Sequence, residues 1–281
     1  MKTKRNLIIF IIITLASGWL GVLVDMLLTN QPEGNTLGMG LWLILPVLTG
    51  IILRLTSRDW KGAGIKPNFK GNIKWYLLSL IIYPAVTAIT FCLAMFSGGI
   101  NTLDFNMSIL LPLMVTSAAS GLIKNIFEEF AWRGYLTPKL MELGINDWLI
   151  YIISGLVWAL WHSAYYLVFL PNSYFESISR VNYILIGSVL MICWTVMFVE
   201  IYRLTKSVWP CVLMHAIEDA VPTLLTTGGF IVFTNSGDIW WNPITGIVAT
   251  ALFLAVGLSL RYIRVGKDAY TKVHICGLLQ E

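Results

Sequence analysis

Two adjacent glutamates, Glu128 and Glu129, stand at the end of an apolar run that extends from Leu110 to Phe127. A carboxylate at such a depth costs roughly 2.5–3.5 kcal/mol on membrane-insertion scales, so we expect it to have a charged or hydrogen-bonding partner or a functional role. On a helix Glu129 and Arg133 share a face, whereas Glu128 is rotated by about 100° from Glu129. The spacing therefore predicts that Arg133 holds Glu129 in an ion pair and leaves Glu128 available.

Lys124 lies four residues before Glu128 and could reach its carboxylate, or its long side chain could extend toward a membrane interface. On this stretch alone, a purely structural cluster of ion pairs that fixes helix packing is the competing interpretation. The positions of the histidines favour a catalytic role of this cluster over a purely structural one.

Two of the three histidines lie within apolar runs, each with a partner one helical turn away. His162 follows Trp158, and His215 precedes Asp219. One such histidine is commonly a hydrogen-bonded packing group, but two of them beside a Glu-Glu-x-x-x-Arg helix favour a shared site. A carboxylate base, two imidazoles and a further hydrogen-bonding group are sufficient for hydrolysis of an amide by an activated water.

The composition is that of a membrane protein. Of the 281 residues 57% are hydrophobic and only 12% charged, and the mean hydropathy is +0.75, far above that of a soluble domain. The net charge of +4 is spread over short loops, so a nucleic-acid partner is not indicated. The four cysteines show no close spacing, which argues against a disulfide framework or a thiolate metal site.

Apolar runs of membrane-spanning length predict an all-α bundle of eight transmembrane helices in a single domain. The fourth run continues as a polar helix to about Leu143, where Gly144 ends it. The predicted spans are approximately Leu7–Leu28, Leu37–Leu55, Ile73–Phe96, Phe105–Phe127, Trp148–Leu170, Tyr183–Leu204, Val208–Leu225 and Pro243–Ile263.

The distribution of basic residues tests this count independently. With the N-terminus inside, every Lys and Arg except Arg180 falls on inner segments. An odd number of spans would scatter this asymmetry. We therefore expect a multi-pass protein of the plasma membrane with both termini in the cytoplasm.

The three polar elements, in this order, resemble the motifs of the CPBP family, which comprises CAAX prenyl endopeptidases and bacteriocin-processing or self-immunity membrane proteins. The resemblance covers about residues 110–225: its first motif matches Glu128, Glu129 and Arg133, its second Trp158 and His162, and its third His215 and Asp219. It implies the family's eight-helix bundle, with an intramembrane polar cavity open to the cytoplasmic side.

Two positions depart from the family's usual pattern. Trp158 stands where phenylalanine is usual, which keeps an aromatic wall but narrows the pocket. Asp219 stands where the prenyl endopeptidases have asparagine, and an ionised carboxylate cannot donate a hydrogen bond to an oxyanion. Asp219 must then be protonated, orient His215 or an arginine, or bind a cation.

Two mechanisms follow from this set of residues. Without a metal, Glu128 takes a proton from water with help from His162, Glu129 supports the site, and His215 donates to the developing oxyanion. With a metal, His162, His215 and Asp219 hold zinc and Glu128 is the base. The resemblance to the prenyl endopeptidases favours the metal-free mechanism.

The leading functional hypothesis is a membrane-embedded endopeptidase that cleaves a peptide or lipidated peptide near the cytoplasmic membrane face. The main alternative is a non-proteolytic scaffold or bacteriocin self-immunity protein on the same fold. A transporter or ion pathway is a third possibility, but no pair of matching broken helices supports one. It is suggested by the intramembrane acids Glu128, Glu129, Glu200, Glu218 and Asp219.

The topology predicts which loops are accessible from the cytoplasm. Single cysteines placed in the segments 57–72 and 140–146 and at both termini should react with an impermeant thiol reagent only in inverted membranes, because these segments carry the excess of lysine and arginine. A cytoplasmic signal from segment 171–182 or 228–240 would contradict the eight-span arrangement.

Overall fold

The computed structural model of the protein describes residues 2–28, 30–32, 35–101, 106–175, 178–234 and 237–278, most of which are helical. Between the α-helices lie three turns of π-helix and one 3₁₀ turn. The π-turns are Trp132–Leu136, Tyr165–Phe169 and Asp219–Thr223, and the 3₁₀ turn is Asn172–Phe175. Strand β1 (Ile100–Asn101) pairs antiparallel with β2 (Val232–Phe233). The α-helices are α1 (Lys2–Leu27), α2 (Leu37–Ser57), α3 (Ile73–Phe96), α4 (Met107–Ala131), α5 (Thr137–Glu142), α6 (Asp147–Trp161), α7 (Arg180–Thr205), α8 (Trp209–Glu218), α9 (Leu224–Thr227), α10 (Gly237–Trp241) and α11 (Ile247–Leu278).

Seven helical segments in the described residues are long and apolar enough to cross a membrane. They correspond to seven of the eight predicted spans, and the prediction of a multi-pass membrane protein is confirmed. Gly144 has the positive φ of 66° that suits glycine at the end of a helix, as the sequence predicted.

The remaining predicted span, Val208–Leu225, does not meet this criterion, so the count of eight is not confirmed by length and composition. Helix α8, the π-turn Asp219–Thr223 and α9 follow one another without a break over residues 209–227, so the apolar character of this segment and not its length falls short. Prolines at 210 and 222 and the polar residues of the third motif lower its mean hydropathy.

This segment nevertheless runs from one end of the bundle to the other. At its start, the Val208 N–H donates to the carbonyl of Gly64, which precedes α3. At its far end, β2 follows α9 and pairs with β1, which follows α3. Residues 209–227 therefore extend along the length of α3.

The basic residues gather at one end of the bundle, which we call the basic end and define by the connection 58–72, Lys139, Arg203 and Arg264. Arg54 donates to the carbonyls of Asp59, Lys61 and Gly134, which ties this connection to the helix that carries the glutamates.

Ion pairs tie the same end together. Lys139 pairs with Asp59 at 2.5 Å, and this hydrogen bond lowers the pKa of the Asp59 carboxyl below its ordinary value. Asp147, at the start of α6, pairs with Arg203 and Arg264 at 2.6 Å each. The first pair joins α5 to the connection 58–72, and the others join α6, α7 and α11 at the basic end.

Small residues allow the closest contacts between helices, as is usual in membrane bundles. A Cβ atom added to Gly155 of α6 would lie 2.6 Å from the Cα atom of Ile192 in α7. The backbones of these two helices meet there, and together they carry the second motif and one wall of the site.

We expect Gly155→Ala to lower the stability of the purified protein by about 1–3 kcal/mol, because the new methyl group must push one backbone away from the other. Thermal unfolding in detergent measures this. Gly40→Ala in α2 is the control, since a Cβ there meets nothing within 4 Å. Equal melting temperatures for Gly155→Ala and the wild type would contradict this contact.

Candidate active site

Glu129 lies at the centre of a buried network of charged and polar groups. Its side chain has no solvent exposure, and its Oε1 atom is 3.0 Å from Arg133 Nη1 and 2.9 Å from His215 Nδ1. The ion pair expected from the four-residue spacing is present. The bond to His215 joins α4 to α8, and sequence spacing could not reveal it.

Arg133 is fully buried, and aromatic faces surround its guanidinium. The guanidinium carbon lies 4.5 Å from the ring centroid of Trp158 and 4.3 Å from that of Phe198. A cation over such faces is attracted by the ring quadrupole, most strongly where water is excluded. Arg133 thus connects the end of α4 with α6 and α7.

Glu128 faces a different environment from its neighbour. Its side chain is 3% exposed and lines a cavity. The indole Nε1 of Trp158 donates to Glu128 Oε2 at 3.3 Å, and Lys124 Nζ lies 3.8 Å from Oε1. The tryptophan that replaces the usual phenylalanine therefore adds a hydrogen-bond donor to the wall.

The two motif histidines line the same cavity as Glu128. His162 Nδ1 lies 2.9 Å from the carbonyl oxygen of Trp158, which can only accept, so Nδ1 carries the proton. By the same reasoning the Nδ1 of His215 donates to the Glu129 carboxylate. In the neutral ring, Nε2 of each histidine is left as an acceptor.

Asp219 fastens α8 to α4. Its Oδ1 accepts from Lys124 Nζ at 2.9 Å, its Oδ2 from Asn125 Nδ2 at 2.7 Å, and its carbonyl from Ser117 Oγ at 3.1 Å. Among the described residues, neither His215 nor an arginine is hydrogen-bonded to Asp219. Its positively charged partner is Lys124, where the sequence analysis had considered an arginine.

The zinc ligand set considered from the sequence does not fit this arrangement. Both carboxylate oxygens of Asp219 already accept hydrogen bonds, one of them from an ammonium group, which would repel a cation. Over the described parts of the chain, no group of three His, Cys, Asp or Glu side chains is placed to hold a metal ion.

The cavity at Glu128 has a volume of about 230 Å³. It is lined by Lys124, Glu128, Trp158, His162, Tyr165, Tyr166, Leu170, Tyr183, Gly187, Leu190, Met191, Trp194, His215, Glu218, Asp219, Thr223, Thr227, Ile244 and Thr245. Four of the five lining residues on α7 belong to the half of that helix remote from Arg203, and the fifth, Trp194, lies just past its middle. The cavity therefore leads away from the basic end.

The lining does not confirm the predicted opening of the cavity toward the cytoplasmic side. On the basic side of Glu128 the interior is filled: Phe198, Cys211 and Val212 have no exposed surface, like Glu129 and Arg133. The motifs indicated which polar side chains lie near one another. They carried no information about which side of this polar cluster is filled by other side chains. A separate, larger cavity of about 690 Å³ lies under the connection 58–72 and contains none of the motif residues.

A π-helical turn begins within or just after each of the three motifs. Trp132–Leu136 follows the glutamates, Tyr165–Phe169 follows His162, and Asp219–Thr223 follows His215. Such turns are rare and frequently occur at functional sites, where they re-aim side chains. Sequence periodicity gave no indication of them.

Sequence reasoning missed several residues that line the cavity. Glu218 was noted only as an intramembrane acid, and Tyr166, Tyr183 and Trp194 were treated as parts of apolar spans. The helical position of Glu218, three residues after His215, could have placed it near the same site. The tyrosines come from other helices, so no local pattern identifies them.

Comparison with known proteins supports the assignment made from these motifs. Residues 106–221 match the family described as type II CAAX prenyl endopeptidase Rce1-like. The resemblance predicted from the motifs is confirmed over this segment. All three motifs lie within this Rce1-like segment, which agrees closely with the core of about 110–225 predicted from sequence. A search of curated proteins gave no match.

The buried network predicts different effects for the two glutamates. We expect Glu129→Ala to destabilise the protein by roughly 3–5 kcal/mol, because it removes one partner of a buried ion pair and leaves Arg133 uncompensated. Glu128→Ala should melt close to the wild type, since its partners are a long indole contact and a lysine that retains Asp219. Thermal unfolding in detergent distinguishes them, and equal destabilisation by both changes would argue for a structural role of Glu128.

Proposed function

We propose that the protein is an intramembrane endopeptidase of the CAAX type, in which Glu128 activates the water that hydrolyses a peptide bond. One observation carries the proposal: Glu128, His162 and His215, from three different helices, line one cavity within the Rce1-like segment. The match with the family supports a hydrolase acting on peptides. The cavity supplies the groups that such a reaction needs.

The proposed reaction begins with transfer of a proton from water to Glu128 while the Nε2 lone pair of His162 orients that water. The resulting hydroxide attacks the carbonyl carbon, and the oxyanion accepts a hydrogen bond from Nε2 of a doubly protonated His215, which the Glu129 carboxylate supports from Nδ1. Glu128 then gives its proton to the leaving amine as the C–N bond breaks. The two products are a carboxylic acid and an amine, and the proton of the acid then passes to the amine or to water.

Arg133 and Asp219 position these groups in the proposed mechanism. Arg133 neutralises Glu129, so that Glu129 can bind His215 without acting as a second base. Asp219 holds Lys124 3.8 Å from Glu128, too far for a tight hydrogen bond that would occupy the Glu128 carboxylate. The donor set around Asp219 favours a reaction without zinc.

The position of Glu128 along its helix supports cleavage in the half of the membrane nearer the basic end. Gly134, six residues later and about 9 Å along the axis, accepts a hydrogen bond from Arg54 beside the basic connection. With residues 209–227 as the eighth crossing, both termini lie in the cytoplasm of a plasma membrane protein. The substrate is a peptide or lipidated peptide that reaches Glu128 along the cavity, from the bilayer.

The direct test compares peptides released from membranes that contain the wild type or Glu128→Gln. We expect products that depend on the wild type and are reduced by about two to four orders of magnitude in Glu128→Gln, because the general base is lost. Mass spectrometry of the soluble and membrane fractions identifies the new termini. The control is Glu142→Gln, which changes a carboxylate paired with Lys139 at the basic end.

A chelator arm in the same experiment tests the metal alternative. Activity that survives 1,10-phenanthroline supports the metal-free reaction, whereas inactivation that zinc restores would contradict it. Identical peptide profiles for the wild type and Glu128→Gln would favour the non-proteolytic scaffold or self-immunity protein.

A further inference from the structure

Glu218 is a carboxylate in the cavity to which the proposed reaction gives no role. It is 5% exposed and lines the wall beside Asp219. Its Oε1 atom accepts from Thr223 Oγ1 at 2.5 Å, and among the described residues no lysine or arginine forms an ion pair with it. A nearly buried carboxylate without a cation is costly, so its environment favours a positively charged ligand.

The charges of the cavity are unbalanced. Its lining includes three carboxylates, from Glu128, Glu218 and Asp219, but a single ammonium group, that of Lys124. His215, doubly protonated in the proposed reaction, also lines the cavity, but its Nδ1 is hydrogen-bonded to a carboxylate outside the lining. Lys124 lies 2.9 Å from Asp219 and 3.8 Å from Glu128, so it is already committed to the other two acids. Glu218 therefore carries the uncompensated negative charge.

Arg180 does not supply the missing positive charge. It lies at the outer start of α7, where it donates to the carbonyls of Tyr166 and Leu170 and to Asn172 Oδ1. It does not belong to the lining of the cavity.

Aromatic rings form much of the remaining wall. Tyr166 stacks on His162 with ring centroids 5.4 Å apart, and it also packs against Tyr183 at 4.9 Å and Tyr165 at 5.7 Å. Trp158 and Trp194 line the cavity nearer Glu128, and the buried indole N–H of Trp194 has no acceptor in the described part of the chain. Carboxylates beside aromatic faces are the usual recognition elements for ammonium and guanidinium groups.

We propose that Glu218 is a specificity residue that binds a cationic side chain, lysine or arginine, of the peptide close to the bond that is cleaved. The aromatic rings pack on the aliphatic part of that side chain and on its cation, while Trp194 offers a donor to a peptide carbonyl. A purely apolar chain in the same place would leave Glu218 dehydrated without a partner. As a statement about cleavage this rests on the proposed function, but binding can be measured without any cleavage.

The test uses two neutral-dye-labelled peptides of leucine and alanine, identical except for a central lysine or its uncharged analogue norleucine. Their binding to the full-length Glu128→Gln protein in detergent is followed by fluorescence anisotropy. We expect the lysine peptide to bind about tenfold more tightly, as one favourable charge contact implies. In the Glu128→Gln, Glu218→Gln protein the two peptides should bind equally.

Asp238→Asn is the matched control, because Asp238 lies in α10 toward the same end as the cavity but outside its lining, hydrogen-bonded to Asn242. It should leave the lysine preference intact. A third peptide with a central glutamate should bind more weakly than the norleucine peptide, and this ranking decides the matter even if Glu218→Gln does not fold.

Equal binding of the lysine and norleucine peptides to the Glu128→Gln protein, or a preference that persists in well-folded Glu218→Gln, would overturn the assignment of Glu218. These outcomes are separate from those of the cleavage experiment. Charge-selective binding without cleavage would refute the peptidase and retain the binding site, whereas cleavage without charge preference would do the reverse.

Discussion

Burying charge in an apolar bundle is the constraint on which this structure depends. Glu129 and Arg133 have no exposed surface, and each would be strongly unfavourable without the other. Their pair is completed by the Nδ1 of His215 and by the ring faces of Trp158 and Phe198. One compensated charge pair thereby brings α4, α6, α7 and α8 into a fixed arrangement.

The same network separates two adjacent glutamates into different roles. Glu129 points into the packed side, where it orients His215, while Glu128 faces the cavity with only an indole and a distant ammonium group beside it. Asp219 sets that distance by holding Lys124 between α4 and α8. The π-turn that begins at Asp219 lies among these polar groups, and the same groups lower the apolar character of this segment below that of an ordinary membrane span.

Local patterns predicted much of the fold and part of the site. Apolar runs located seven membrane-spanning helices, and the four-residue spacing predicted the contact between Glu129 and Arg133. Contacts between distant segments were not predictable: the partners of Asp219, about 95 residues away in the chain, follow from how α4 packs on α8. The direction of the cavity depends on which side of Glu129 is filled, and a single sequence carries no pattern for that.

In the proposed reaction Glu128 acts as a base toward water and does not itself attack the peptide. A single turnover in H₂¹⁸O, with excess enzyme and a cleaved peptide, tests it by mass spectrometry of both product and protein. We expect one ¹⁸O atom in the new carboxylate of the product and none in the side chain of Glu128. An unlabelled product together with ¹⁸O in the Glu128 carboxyl would show a covalent acyl intermediate and contradict the account.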